Sequence, residues 1–239
     1  MTDHSNRPQD NPQNQTDPNH LLISKPVNAY LESLFSEQKF RSGSIAAALE
    51  EMERLASEKG FPIIGPLVGP SLRSLALMIG ANRIFEFGSG FGYSALWFAS
   101  ALEHEGQVIC TEGDADNVRM AETFLKKAEL WQRIEYHQAW AQDVFKEQQG
   151  EFDIIYNDAD KGDYPEIWEL AQHKLRKGGL YIADNCLWAG RVALDQVSSD
   201  PVPGWTDAIK AHNQAVVSHP NFDTFMNPAR DGVLVARRR

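Results

Sequence analysis

From Leu21 onward, apolar residues recur at helical spacing: Val27, Tyr30, Leu31, Leu34 and Phe35, then Ile45, Leu49, Met52 and Leu55 ahead of Gly60. This spacing predicts two amphipathic helices at the start of the folded part. The Pro/Gly-punctuated stretch Phe61 to Gly69 predicts a loop, and a third helix is expected to begin on Pro70 and stop at Gly80. Short β-branched or aromatic runs then alternate with helical patterns. Strands are predicted over Arg83 to Phe87, Gln107 to Thr111, Arg133 to His137, Phe152 to Tyr156 and Leu180 to Ala183. Helices are predicted over Tyr93 to Leu102, Ala115 to Ala128, Gln142 to Gln148 and Pro165 to Leu175. Such alternation means a parallel sheet covered on both faces. A last helix, Thr206 to Val217, precedes two closing strands, Phe222 to Met226 and Gly232 to Ala236, whose short connection suits an antiparallel hairpin. The sheet is therefore expected to be mixed at one edge.

Met1 to His20 contains no Val, Ile, Leu, Phe, Tyr or Trp. Such a segment cannot bury enough surface to offset its ordering entropy, so a disordered tail over 1–20 and one folded domain over 21–239 are expected. A net charge of −10 disfavours nucleic acid as a partner, because phosphate binding relies on clustered Lys and Arg. A small-molecule substrate suits it better. Cys110 and Cys186 form no spaced framework, and no apolar run approaches the length of a membrane span. Both features point to a cytoplasmic chain without membrane partners.

Candidate chemistry begins after the first strand. Phe87-Gly88-Ser89-Gly90-Phe91-Gly92 places a Gly-rich turn between strand and helix, where backbone amides can approach a ligand closely. Its G-x-G-x-G spacing differs from the G-x-G-x-x-G of dinucleotide folds. Glu112 ends the second strand, the position from which a carboxylate accepts the hydroxyls of a ribose, while Asp114 can cap the following helix. Glu86, an acid inside an otherwise apolar strand, needs a partner; the ammonium of a methionine moiety would supply one, and a structural salt bridge is the alternative.

Two acid clusters follow the fourth and fifth strands: Asp158 with Asp160, Lys161 and Asp163, and Asp184-Asn185. Ligands of an open parallel sheet sit at strand C-terminal ends, so Asp158, Asp184 and Asn185 can converge. Their oxygens suit a hard divalent cation, Mg²⁺ first, with Ca²⁺ or Mn²⁺ as substitutes, and leave positions open for two acceptor oxygens and a water. Lys161 is the natural proton acceptor beside such a site. Asp160 and Asp163 read as turn and cap residues ahead of Pro165. The histidines show no zinc spacing. Trp188 suits either the core or an aromatic wall; Trp97 and Trp168 read as core.

Taken together, Phe85-Glu86-Phe87-Gly88 with Gly92-Tyr93-Ser94, Asp158-Ala159-Asp160-Lys161-Gly162-Asp163-Tyr164, Asp184-Asn185-Cys186-Leu187-Trp188 and Asp231-Gly232 resemble the cation-dependent O-methyltransferases typified by caffeoyl-CoA and catechol O-methyltransferases. The resemblance runs from Leu21 to Arg237. It implies a Rossmann-like, seven-stranded α/β methyltransferase fold with extra N-terminal helices, a homodimer, and methyl transfer from S-adenosylmethionine to a catechol-like aromatic hydroxyl. It implies that Asp158, Asp184 and Asn185 bind the metal, with Asp158 close to the cofactor as well. Lys161 is then the base, and Glu86, Gly88, Ser94 and Glu112 contact S-adenosylmethionine. Ala141 is the candidate on the adenine side. Asn157 departs from the family, which usually carries a hydrophobic residue before the first metal aspartate, and the loop Gly65 to Gly69 lacks the Lys or Gln often found there. A nicotinamide-dependent oxidoreductase and a catalytically silent cofactor-binding dimer are the rival readings.

Overall fold

A computed structural model describes residues 25–36, 43–103, 105–194 and 200–239. The tail expected over Met1 to His20 lies outside the described residues. Seven strands run along the chain as β1 (Arg83–Phe87), β2 (Gln107–Glu112), β3 (Ile134–Gln138), β4 (Phe152–Asn157), β5 (Leu175–Ala183), β6 (Phe222–Asn227) and β7 (Val233–Arg238). They form one sheet in the order β3-β2-β1-β4-β5-β7-β6, parallel except for the antiparallel β5–β7 and β6–β7 pairs. The mixed edge expected from the sequence is therefore present.

Helices α4 (Tyr93–Ala99), α5 (Ala115–Lys127), α6 (Ala141–Glu147), α7 (Tyr164–Ala171) and α8 (Trp205–Ser218) follow the strands, and α1 (Lys25–Ser36), α2 (Gly43–Lys59) and α3 (Gly65–Met78) precede them. Alternation along β1 divides the core. Ile84 joins Leu49, Met52, Leu72, Leu96 and Trp97 on one face, and Phe85 and Phe87 join Phe145, Phe152 and Trp168 on the other. The four phenylalanines pack with centroids 4.7 to 5.7 Å apart, the range in which aromatic pairs add roughly 0.5–1.5 kcal/mol each beyond buried area. Along α1 the apolar stripe is only half covered, since Val27, Tyr30 and Leu34 stay exposed.

Several boundaries differ from the sequence reading, three of them by four residues or more. The third helix begins at Gly65 rather than Pro70, so Pro70 lies inside it. Pro66 occupies the first turn, where a missing N–H leaves nothing unpaired, and Leu67, Val68 and Gly69 are buried rather than looped out. Gly69 is there for contact: a Cβ at that position would stand 2.3 Å from the Trp97 indole of α4. The fifth strand starts at Leu175, five residues early, and the preceding helix ends at Ala171.

Register positions the site. Phe87 of β1 pairs with Thr111 of β2 and Asn157 of β4, and Asn157 pairs with Ala183 of β5. Gly88, Glu112, Asp158 and Asp184 are each the next residue, so all four emerge along one edge of the sheet.

Candidate active site

A cavity of about 600 Å³ opens over that edge. At its β1–β2 end the chain turns through Gly88, Gly90 and Gly92, with φ of 78°, 52° and 87°. A side chain at Gly88 would force the backbone to shift, because a Cβ would meet the Asp158 carbonyl oxygen at 2.6 Å. The turn is tied down by Ser89 N–H donating to the Thr111 carbonyl at 2.9 Å and by the Tyr136 hydroxyl donating to the Gly90 carbonyl at 2.6 Å. Glu112 lines the cavity and accepts the Asp114 N–H at 2.8 Å through one oxygen. Asp114 itself caps α5, accepting from the Asp116 and Asn117 amides, so helix capping does not consume Glu112.

Glu86 lies behind this wall, fully buried, and is not among the cavity-lining residues. Its carboxylate accepts the Ser89 hydroxyl at 2.9 Å, the Ser94 hydroxyl, and the Cys110 thiol at 3.6 Å. Its partners are thus hydroxyls and a thiol rather than an Arg or Lys. Burial pushes its pKa up to about 7, against the lowering effect of those hydrogen bonds. Ser89 and Ser94 do line the cavity, and they stand between Glu86 and any ligand.

At the β4–β5 end, the Asp158 N–H donates to the Phe87 carbonyl at 2.9 Å and the Asp184 N–H to the Asn157 carbonyl at 3.0 Å. The ladders thereby extend one residue past the strands and bring the two aspartates side by side. Burial, then the charge of Asp158, pushes Asp184 up to about 7. Asp184 Oδ1 is buried and has no hydrogen-bond partner, an arrangement that typically costs about 1–3 kcal/mol. Asn185, Trp188 and Ala189 all hold left-handed backbone, with φ of 53°, 47° and 51°. Lys161 is buried, and its Nζ reaches Asp158 Oδ1 at 3.0 Å, the Ala159 carbonyl at 3.1 Å and the Tyr164 hydroxyl at 2.9 Å. Three acceptors match the three donors of a lysine ammonium. Asp163 precedes α7 but its side chain makes no cap bond, contrary to the turn-and-cap reading.

Comparison with known proteins decides the family. A family model described as O-methyltransferase matches residues 41–239. The chain belongs to this O-methyltransferase family. A catechol O-methyltransferase of Niastella koreensis is 32% identical over 75% of this chain and 80% of its own length. Tricin synthase 2 of Oryza sativa is 29% identical over 92% of this chain and 77% of its own. The crystal structure of an O-methyltransferase from Bacillus cereus, in complex with S-adenosylhomocysteine, superposes with a TM-score of 0.76 at 26% identity, covering 90% of this chain and 97% of that one. The protein is accordingly an S-adenosylmethionine-dependent O-methyltransferase with the Rossmann-like fold expected from its motifs.

In this O-methyltransferase Gly88, Ser94, Glu112, Ala141, Asp158, Lys161, Asp184 and Asn185 all line one cavity. Among the described residues no three of His, Cys, Asp and Glu gather in a metal-binding arrangement; the candidate set is two carboxylates and an amide. Trp97 and Trp168 are core. Trp188 is not: it lines the cavity 5.8 Å from Trp205, its indole N–H donating to Asp200 at 3.1 Å. Phe61, Trp140, Trp205 and Arg230 also line the cavity and carried no spacing signal. Asp231 was visible only as part of a motif; it accepts the Ala189 N–H, and Gly232 lets Leu187 pack against the backbone behind it. No helix among the described residues is long and apolar enough to cross a membrane.

Proposed function

We propose that this O-methyltransferase transfers the methyl group of S-adenosylmethionine to one hydroxyl of a small catechol-like aromatic acceptor, with a divalent cation, Mg²⁺ first, held by Asp158, Asp184 and Asn185. The observation that carries this reading is the buried, unpartnered Asp184 Oδ1 beside a second carboxylate. Two like charges and an orphaned acceptor are costly alone and favourable around a hard cation, and the all-oxygen donor set fits one. When bound, the cation would supply Lewis-acid activation of the acceptor hydroxyl.

The chain's own groups do the rest. The glycine turn admits the methionine end of the cofactor, with Ser94 lining the cavity there, and Glu112 offers an oxygen to the ribose hydroxyls. Glu86 acts through Ser89 and Ser94, fixing both hydroxyls from behind. Trp188 and Trp205 form the aromatic wall against which a flat acceptor ring stacks. Lys161, whose Nζ stands beside Asp158, is the group placed to take the proton of the acceptor hydroxyl. S-adenosylmethionine, when bound, would supply the methyl group to that oxygen and leave as S-adenosylhomocysteine. The exposed apolar stripe of α1 offers a surface for a second copy, in keeping with a homodimer.

Methyl transfer to a panel of catechols and hydroxycinnamoyl compounds, with Mg²⁺ and with EDTA, tests the reading. Product is expected from vicinal dihydroxy acceptors with Mg²⁺, falling at least about a hundredfold with EDTA. Equal rates in both would mean a metal-free transferase.

A further inference from the structure

Asn157 is fully buried at the end of β4, where the family resemblance leads one to expect a hydrophobic side chain. A buried primary amide is costly unless paired, and here every polar atom finds a partner. Asn157 Nδ2 donates to the Tyr181 hydroxyl of β5 at 3.0 Å, and Tyr181 Oη lies 2.9 Å from His212 Nε2 on α8. His212 Nδ1 lies 3.0 Å from Asn213 Oδ1, and Asn213 Nδ2 donates to the Cys186 carbonyl at 2.7 Å.

The proton positions in this chain follow from donor chemistry. Asn213 Oδ1 can only accept, so His212 Nδ1 carries the hydrogen and Nε2 is bare. Tyr181 therefore donates its O–H to Nε2 and accepts from Asn157. Such a chain requires a neutral imidazole, and burial pushes His212 down to about 4. All four bonds run in one direction, the arrangement in which hydrogen bonds polarise and strengthen one another.

The two ends of the chain carry the argument. Asn157 immediately precedes Asp158, and its Oδ1 accepts the Ala159 N–H at 3.3 Å, so the side chain brackets Asp158 from both sides. Cys186 immediately follows Asn185, whose backbone is left-handed and lies beyond the last β4–β5 backbone bond, from Asp184 N–H to the Asn157 carbonyl. The sheet ladder holds the strands together, and the Cys186 and Leu187 amides tie the Asn185 turn to the Gly232 and Asp231 carbonyls at 2.9 and 2.8 Å; the side-chain series adds a separate link from that turn to the Asp158 turn. We infer that Asn157, Tyr181, His212 and Asn213 form a buried strut that sets the spacing between the Asp158 turn and the Asn185 turn, making them positioning residues for the cation. The inference rests on the reading of Asp158, Asp184 and Asn185 as its ligands.

Isothermal titration of Mn²⁺ into the full chain tests it, with near-UV circular dichroism recording whether each variant is folded. Tyr181→Phe removes one hydroxyl and keeps the ring. In the folded variant the Mn²⁺ Kd is expected to rise at least roughly tenfold, as when support behind metal ligands is removed. Asn157→Leu should weaken binding by a similar factor. A folded Tyr181→Phe that binds Mn²⁺ like wild type overturns the inference while leaving the cation site standing. If Tyr181→Phe loses the native spectrum, Asn157→Leu decides by the same criterion, and loss of the native spectrum in both makes the strut merely structural. Wild type that binds no Mn²⁺ removes the site itself, and the inference with it.

Discussion

Asp158→Ala is expected to lower kcat/KM with Mg²⁺ by at least about a thousandfold, roughly 4 kcal/mol of transition-state stabilisation. One substitution removes a proposed cation ligand and the carboxylate that Lys161 Nζ contacts at 3.0 Å. Thermal stability should move far less. Lys161 keeps the Ala159 carbonyl and the Tyr164 hydroxyl, and Asp184 loses the like-charged neighbour that, after burial, does most to push its pKa up. These effects oppose each other, so the melting temperature is expected to shift by less than about 4 °C, the equivalent of ~1 kcal/mol for a chain of this size. Steady-state kinetics and a thermal melt on the same preparation check both halves. A variant with half the wild-type kcat/KM would show that Asp158 is not in the machinery.

Gly88→Ala is expected to do the reverse, damaging fold and function together. The backbone at Gly88 holds φ of 78°, which costs an alanine about 1–2 kcal/mol. The new methyl would also stand 2.6 Å from the Asp158 carbonyl oxygen, a backbone atom that cannot swing aside. Overpacking of that kind typically adds about 1–3 kcal/mol. A total near 3 kcal/mol corresponds to a fall in melting temperature of roughly 6–12 °C. Because the displaced carbonyl belongs to Asp158, activity of the surviving folded protein should fall as well. Calorimetry and kcat/KM measured well below the transition separate the two effects, and an unchanged melting temperature would mean that the turn opens more easily than its contacts imply.

The fold was legible because most of its signals are local. The runs Arg83 to Phe87 and Phe152 to Tyr156 are short, mostly apolar or aromatic, and flanked by Asn82 and Gly88 and by Glu151 and Asn157, and both strands fall where those runs lie. Sequence reading failed where Gly and Pro serve packing instead of turning the chain. Gly69 lets α3 approach Trp97, and Gly179 lets β5 run against the carbonyls of Phe152 and Asp153, so two segments with turn composition are a helix and a strand. The edge of the sheet was legible for a related reason: Glu112, Asp158 and Asp184 each follow a recognisable strand, and register alone brings them together. Glu86 was visible as an anomaly, but that two serines would stand between it and the cavity depends on the path of the glycine turn. The strut through Tyr181 and His212 was not legible at all. Its bonds join β4, β5 and α8 across long stretches of sequence, and no local spacing announces such contacts.

Diffraction at the manganese edge from crystals grown with Mn²⁺ and S-adenosylhomocysteine would test the central claim most directly. The expected map holds one anomalous peak in coordination contact with an oxygen of Asp158, of Asp184 and of Asn185, on the side of the cavity nearest the cofactor sulfur. A cofactor-loaded crystal in which the peak lies elsewhere, or in which Asp184 Oδ1 is met by a protein donor with no ion beside it, would contradict the account.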